Sequence, residues 1–310
     1  MEFGLRKSIQ AIASTCTGSG VGKFPPDPVY PSMLSPFCTA QVTADWARNH
    51  LLTICPEAPL QMIDEVTTLV ETLFGGSHPG YQKADLEYHD LEHTQFATQC
   101  FIDLARGRVQ HRHTPVFSPR DFTLGYAAIM LHDIGYLKTT GDVGGTGAKY
   151  TTNHVVRSCA MTDVFLSQLG CNASEIEGIK NAIRCTGITS KIDQISFNSD
   201  VERLTGCMVA TADYLGQMAD PRYPDKLPGL FAELKESSDF NGVPADQRIF
   251  RTLKDLKSKT GGFWSAFVLP KLKGEYEGVY QNLSLPDGNN PYMQAVDRNL
   301  AIIAEQVSAA

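Results

Sequence analysis

Apolar residues recur at intervals of three and four along most of this chain. Over 58–74 the positions Leu60, Ile63, Val66, Val70, Leu73 and Phe74 fall on one helical face, and Gly75-Gly76 follows as a stop. The same spacing predicts helices over 84–106, 119–137, 152–169, 173–185, 199–219, 225–238, 244–258 and 291–307. No segment alternates at period two over strand length, so the expected fold class is all-α, a helical bundle. Two loops interrupt it: "GRVQHRHTPVFSP" over 107–119 and the glycine-rich "TTGDVGGTGAK" over 139–149. No repeat of 20–50 residues is present. Glycines and prolines break the stretch from Lys257 to Pro291. Within it, Phe263, Trp264 and Phe267 are expected to be core residues, an interface patch being the alternative.

Composition narrows the class of protein. The 310 residues are 42% hydrophobic and 20% charged, which suits a soluble globular chain with a large core. A net charge of −7 offers no general attraction for nucleic acid or an anionic membrane. Eight cysteines stand singly at 16, 38, 55, 100, 159, 171, 185 and 207 with no CxxC spacing, and they read as reduced thiols of a cytoplasmic protein. The N-terminus lacks the apolar stretch of a secretory signal, and no later run approaches the roughly 18 apolar residues of a membrane span. "TGSGVGKF" over 17–24 imitates a phosphate-binding loop, but Thr17 and Phe24 stand where the pattern needs Gly and Ser or Thr. "PPDPVYP" then prevents a helix from starting there. The expected organisation is a flexible leader over 1–38, a helical domain over 39–240, and a helical extension over 241–310 packed on the same core.

Candidate chemistry begins at "LEYHDLEHTQ". His89 and His93 stand four apart, hence on one face of the helix expected over 84–106, although such a pair is often simply solvated. In "AAIMLHDIGY" an apolar run ends on His132-Asp133. A buried ionised aspartate is costly unless paired or metal-bound, so a positive partner must be near. In "CMVATADYLGQMAD", Asp213 follows another apolar turn; a helix cap or a pairing with Arg203 or Arg222 is the structural alternative. Together His93, His132, Asp133 and Asp213 supply two imidazoles and two carboxylates, a set that binds a divalent cation in a helical bundle.

This order, His then His-Asp then Asp with "LHDIG" at the centre, resembles the HD-domain metal-dependent phosphohydrolase superfamily over roughly residues 60–235. The resemblance implies an HD-type helical bundle in which His93, His132, Asp133 and Asp213 hold the metal and Asp133 can bridge to a second ion. "YHDLEH" is similar to the YHxxxH pair of the cyclic-nucleotide phosphodiesterase branch, which implies that His89 is the general acid and His93 a ligand. Asp90 stands where that branch has asparagine, and the segment after Asp133 also differs, so the cyclic-nucleotide substrate is not carried over. Binuclear members place further histidines before the last aspartate. Here His154 is the one histidine in that interval, and it is a metal ligand, a substrate contact or a helix-start residue. Cys185 stands near a position where relatives have histidine, but a buried cysteine more often acts as a small hydrophobe.

The implied reaction is hydrolysis of a small-molecule phosphoester, a nucleotide or a related compound. A divalent ion (Mg, Mn, Fe, Co, Ni or Zn) would acidify a water and polarise a phosphoryl oxygen. Asp133 or Asp213 would orient the water, and His89 would protonate the leaving oxygen. One tight metal and at most a weaker second ion are expected. Lys138, Lys149 and Arg157 are the candidate phosphate contacts, and the loop 139–149 a candidate lid. A homo-oligomer is possible in this scheme, whereas a nucleic-acid polymer or a membrane is not expected as a partner. The alternatives are a non-catalytic metal or nucleotide sensor on the same scaffold, and a di-iron oxygenase.

Overall fold

The computed structural model describes residues 39–309. The leader over 1–38 and its glycine loop at 17–24 lie outside the described residues. The all-α expectation holds: among the described residues there is no strand, only an isolated antiparallel bridge between Tyr81 and Thr139. The helices are α1 (Ala40–Ile54), α2 (Gln61–Gly75), α3 (Leu91–Gln110), α4 (Pro119–Leu131), α5 (His154–Gln168), α6 (Ala173–Arg184), α7 (Asp200–Ala219), α8 (Tyr223–Phe240), α9 (Leu253–Phe263) and α10 (Pro291–Ala309).

Helix ends follow their caps. Ser118 and Asp121 form a reciprocal capping box at α4, with Pro119 in its first turn, and Asn172 and Glu175 form another at α6. Gly76, at φ 77°, closes α2 in the left-handed conformation. Two boundaries correct the sequence reading near the candidate chemistry. The helix expected over 84–106 starts only at Leu91, because the Asp90 side chain takes the His93 amide at 2.8 Å. The helix expected over 119–137 ends at Leu131, and a short 3-10 turn over Ile134–Tyr136 follows.

Three more elements differ from expectation. α1 is absent from the periodicity reading because half of its buried stripe is alanine, Ala40, Ala44 and Ala47, and Thr43 and His50 are also inside, leaving Leu51 as its one large buried apolar residue. The helix expected over 244–258 lies at 253–263. The glycine- and proline-rich stretch beyond it continues through two π-helical turns, Trp264–Val268 and Lys271–Glu275.

α3 is buried on nearly every face, and its most extensive partner is α7. Their closest approach depends on Gly216, where a Cβ would stand 2.6 Å from Ala97 Cα. α10 packs on this pair. Asn299 donates to the carbonyls of Met218 and Asp220, and the Tyr292 hydroxyl donates to Asp103 on α3 at 2.8 Å. Trp264 is buried, and Phe263 and Phe267 pack against the core beside Tyr214. The described cysteines 55, 100, 159, 171, 185 and 207 are free and buried. Among the described residues no helix is long and apolar enough to cross a membrane.

Candidate metal centre

Four ends of elements and one helix interior supply the candidate side chains. His93 is the third residue of α3, His132 caps the C-terminus of α4, Asp133 follows it in the turn, and His154 opens α5. Asp213 projects from the interior of α7. Asp133 has φ −108° and ψ 4°, the bridge region that many site residues occupy. Ser158 on α5 holds this turn, its Oγ donating to the His132 carbonyl at 2.6 Å and accepting the Gly135 amide at 2.8 Å. The glycine of "LHDIG" thereby gains a physical reason: a Cβ on Gly135 would fall 2.0 Å from the His154 carbonyl oxygen.

The donor atoms converge. His93 Nε2 is 3.3 Å from Asp133 Oδ2 and 3.3 Å from Asp213 Oδ1, while His132 Nε2 is 3.2 Å and 3.5 Å from the same two oxygens. Donors about 2.1 Å from a shared ion stand about 3.0 Å apart at right angles and about 3.4 Å apart at tetrahedral angles. The observed separations have the length of edges of such a shell. His93 Nε2, His132 Nε2 and Asp133 Oδ2 are buried and lack a hydrogen-bond partner. Three unsatisfied atoms meeting at one point is the pattern that a cation relieves. His93, His132 and Asp133 therefore form a group able to bind a metal ion, and Asp213 adds a second carboxylate. His132 is oriented for this by its Nδ1, 2.7 Å from the Ile129 carbonyl, which leaves Nε2 toward the centre.

Electrostatics point the same way. Burial disfavours charge on all four groups, yet their mutual attraction outweighs it. Asp133 is held well below the usual carboxylate range and Asp213 at about 2 by the two imidazoles; His93 is lifted to about 9 by Asp133 and Asp213, and His132 well above its ordinary value. Two buried carboxylates demand two positive charges, and a divalent cation supplies them in place of two imidazolium protons.

A second ring of residues adjoins this centre. His154 directs Nε2 toward Asp133 Oδ1 at 3.7 Å, while its Nδ1 lies 2.8 Å from the Thr151 carbonyl. The two oxygens of Asp133 thus face different histidines. His89 precedes α3 and shares no helix face with His93, but the two rings still lie 5.4 Å apart. Glu233 on α8 holds His89 in place: Oε2 is 2.6 Å from His89 Nδ1, and Oε1 accepts the amides of Tyr88 at 2.7 Å and His89 at 3.3 Å. Gln217 accepts the Tyr88 hydroxyl at 2.7 Å and donates to Asp213 Oδ1 at 3.2 Å. The sequence reading missed Glu233, Gln217 and Tyr136. For Glu233 a signal existed, since it falls in line with Leu227, Leu230 and Ser237 on the inward stripe of α8, where a carboxylate needs a partner.

Other expectations find their residues occupied elsewhere. Lys138 pairs with Asp85 at 2.7 Å and donates to the Gly145 carbonyl; Lys149 binds Asp142 and the Gly144 carbonyl. Arg157 donates to the carbonyls of Gly135 and Leu137 and covers the Tyr150 ring. Lys138 and Arg157 fasten the 135–150 segment to the frame, and Lys149 ties the segment to itself. The expected lid over 139–149 is itself fastened, with Thr146 bound through its amide and hydroxyl to Glu236 and Gly147 bound to Asp85. Cys185 is buried against Gly206 and donates to the Asn181 carbonyl, away from the cluster. Asp213 pairs with neither candidate arginine: Arg203 binds Asp193 and Glu277, and Arg222 binds Glu92 and Asp220.

A model of the Npun_R2479-like family matches residues 140–282, a little under half of the chain. The matched stretch contains His154, Asp213 and Glu233 and stops short of His89, His93, His132 and Asp133. No curated protein matches the chain.

Proposed function

We propose that this chain is a divalent-metal-dependent phosphoester hydrolase built on an HD-type bundle. The observation that carries the reading is the convergence of His93 Nε2, His132 Nε2 and Asp133 Oδ2, buried and unpartnered, beside the Asp213 carboxylate. His93, His132, Asp133 and Asp213 would hold the ion, and Asp133 Oδ1 with His154 offers a poorer position for a second one. A divalent ion bound there supplies Lewis acidity, lowering the pKa of a water and polarising a phosphoryl oxygen.

The remaining work falls to the side chains. Asp213, steadied by Gln217, accepts a hydrogen bond from the attacking water and passes the proton that this water loses on to solvent. As the new P–O bond forms and the bond to the leaving oxygen breaks, His89, oriented by the Glu233 contact at its Nδ1, gives a proton to that oxygen. The test is phosphate release from a broad phosphoester panel run across magnesium, manganese, cobalt, nickel, zinc and iron. Turnover with redox-inert ions is the expected result. Binding without turnover returns the protein to the sensor reading, and dioxygen consumption with iron alone to the oxygenase reading.

A further inference from the structure

Tyr136, three residues after Asp133, is 3% exposed and faces two of the site histidines. The His89 ring lies 4.6 Å from it at 19°, and the His154 ring 4.4 Å from it at 13°. The two imidazole centroids are 6.5 Å apart. Both therefore rest on one tyrosine.

We propose that Tyr136 is a positioning residue, its ring being the common platform that holds His89 and His154 as a fixed pair on the open side of the centre. The roles of the two histidines rest on the hydrolase reading; the platform does not. Each imidazole makes one hydrogen bond, through Nδ1, His89 to Glu233 and His154 to the Thr151 carbonyl. A ring held by its Cβ–Cγ bond and one hydrogen bond can still rock about χ1 and χ2. Their side chains keep 17% and 20% exposure, so the packing that closes over His93 and His132 does not immobilise them. A flat aromatic face removes the remaining freedom, because a tilt away from parallel loses contact over the whole ring. The platform is itself rigid, since it sits in the short turn that Ser158 locks to α5. Site groups need placement within about 0.5 Å, and one residue here provides it for two of them. An aliphatic side chain would fill the volume without offering a plane.

The test uses the full chain with a diamagnetic divalent ion and labelled histidine, the imidazole signals being assigned through His89→Gln and His154→Gln. In the folded wild-type protein both sets of ring protons are expected upfield, displaced by the phenol ring current, and Tyr136→Phe should preserve the displacement. Tyr136→Leu should abolish it, keep the tight metal by elemental analysis, and raise the manganese concentration that half-fills the weaker position by about tenfold or more. Unshifted imidazole signals in the wild-type protein overturn the proposal. So does a folded Tyr136→Leu protein with wild-type manganese binding, or a Tyr136→Phe protein as impaired as the leucine variant, which assigns the effect to the hydroxyl. If Tyr136→Leu does not fold, the comparison of wild type with Tyr136→Phe decides. A protein with the expected shifts and no phosphoester turnover loses the hydrolase reading and keeps the platform.

Discussion

Asp133 is the residue on which the centre turns, because its two oxygens face different histidines: Oδ2 meets His93 and His132, and Oδ1 meets His154. Asp133→Ala removes a donor and its charge together, and the purified variant is expected to carry no tightly held metal by elemental analysis; full occupancy would refute the assignment. His154→Ala should keep the tight ion and need more manganese or magnesium for turnover, since a weaker second ion with few protein ligands depends on each of them. Unchanged metal dependence would sink that role. His89 reaches the same place without being part of the tight cluster. His89→Ala should retain metal while kcat falls by roughly 10²–10⁴-fold, the usual loss of a general acid, and a substrate with a good leaving group should recover most of it. Glu233→Gln should lower kcat about 10–100-fold with metal intact, as expected for a residue that only orients another. Metal loss in either variant contradicts this division of labour.

At the scale of elements, the site exists where helices stop. His93 is early in α3 because Asp90 caps that helix, and His132-Asp133 stands where α4 gives way to a 3-10 turn. Adjacent residues inside a helix diverge by about 100°, so ending α4 at Leu131 helps both His132 and Asp133 face one point. The turn depends on how closely α5 approaches it. Gly135→Ala places a methyl group 2.0 Å from the His154 carbonyl oxygen and 2.7 Å from Ser158. It should cost about 1–3 kcal/mol in denaturant unfolding, the range for overpacking a tight contact, and weaken metal retention as Asp133 and His154 shift together. A variant of wild-type stability and metal content would show that the contact is soft.

At the scale of the whole molecule, buried ionisable groups away from the centre set how stability responds to acid. His50 on α1 is 4% exposed, packs edge-on to Phe122 at 4.8 Å, and has its pKa pushed down to about 3 by burial and by the charge of Arg106. The unfolded chain binds a proton below about pH 6.5 that the folded chain refuses until about pH 3. Stability is therefore full above pH 6.5 and falls with acidification between those limits, by up to about 1.4 kcal/mol per pH unit for this one group. Asp103, lifted by burial to about 6 and accepting a hydrogen bond from Tyr292, works in the opposite sense over part of the range. The difference between wild type and His50→Phe isolates the histidine. The variant should lose less stability than wild type from pH 6.5 to pH 4 in urea titrations, and parallel curves would contradict the assignment.

Helix periodicity, caps and the residue types of the cluster are local properties, and they were legible in the chain: an all-helical fold, the Gly75-Gly76 stop, and two histidines and two aspartates as the chemical candidates. α1 was not legible, because alanines bury a face without a strong hydrophobic pattern. The helix shared by His89 and His93 was misread, because the Asp90 cap competes with periodicity that runs straight through it. The partners of charged groups were beyond reach altogether. Lys138, Lys149 and Arg157 look like phosphate contacts in sequence, yet they fasten a loop, whereas Glu233 looks like an ordinary helical acid and holds His89 from 144 positions away. A side chain's type follows from the chain, but its partner is whatever tertiary packing brings within about 3 Å, and only the folded structure decides which charges are spent on the frame and which remain for chemistry.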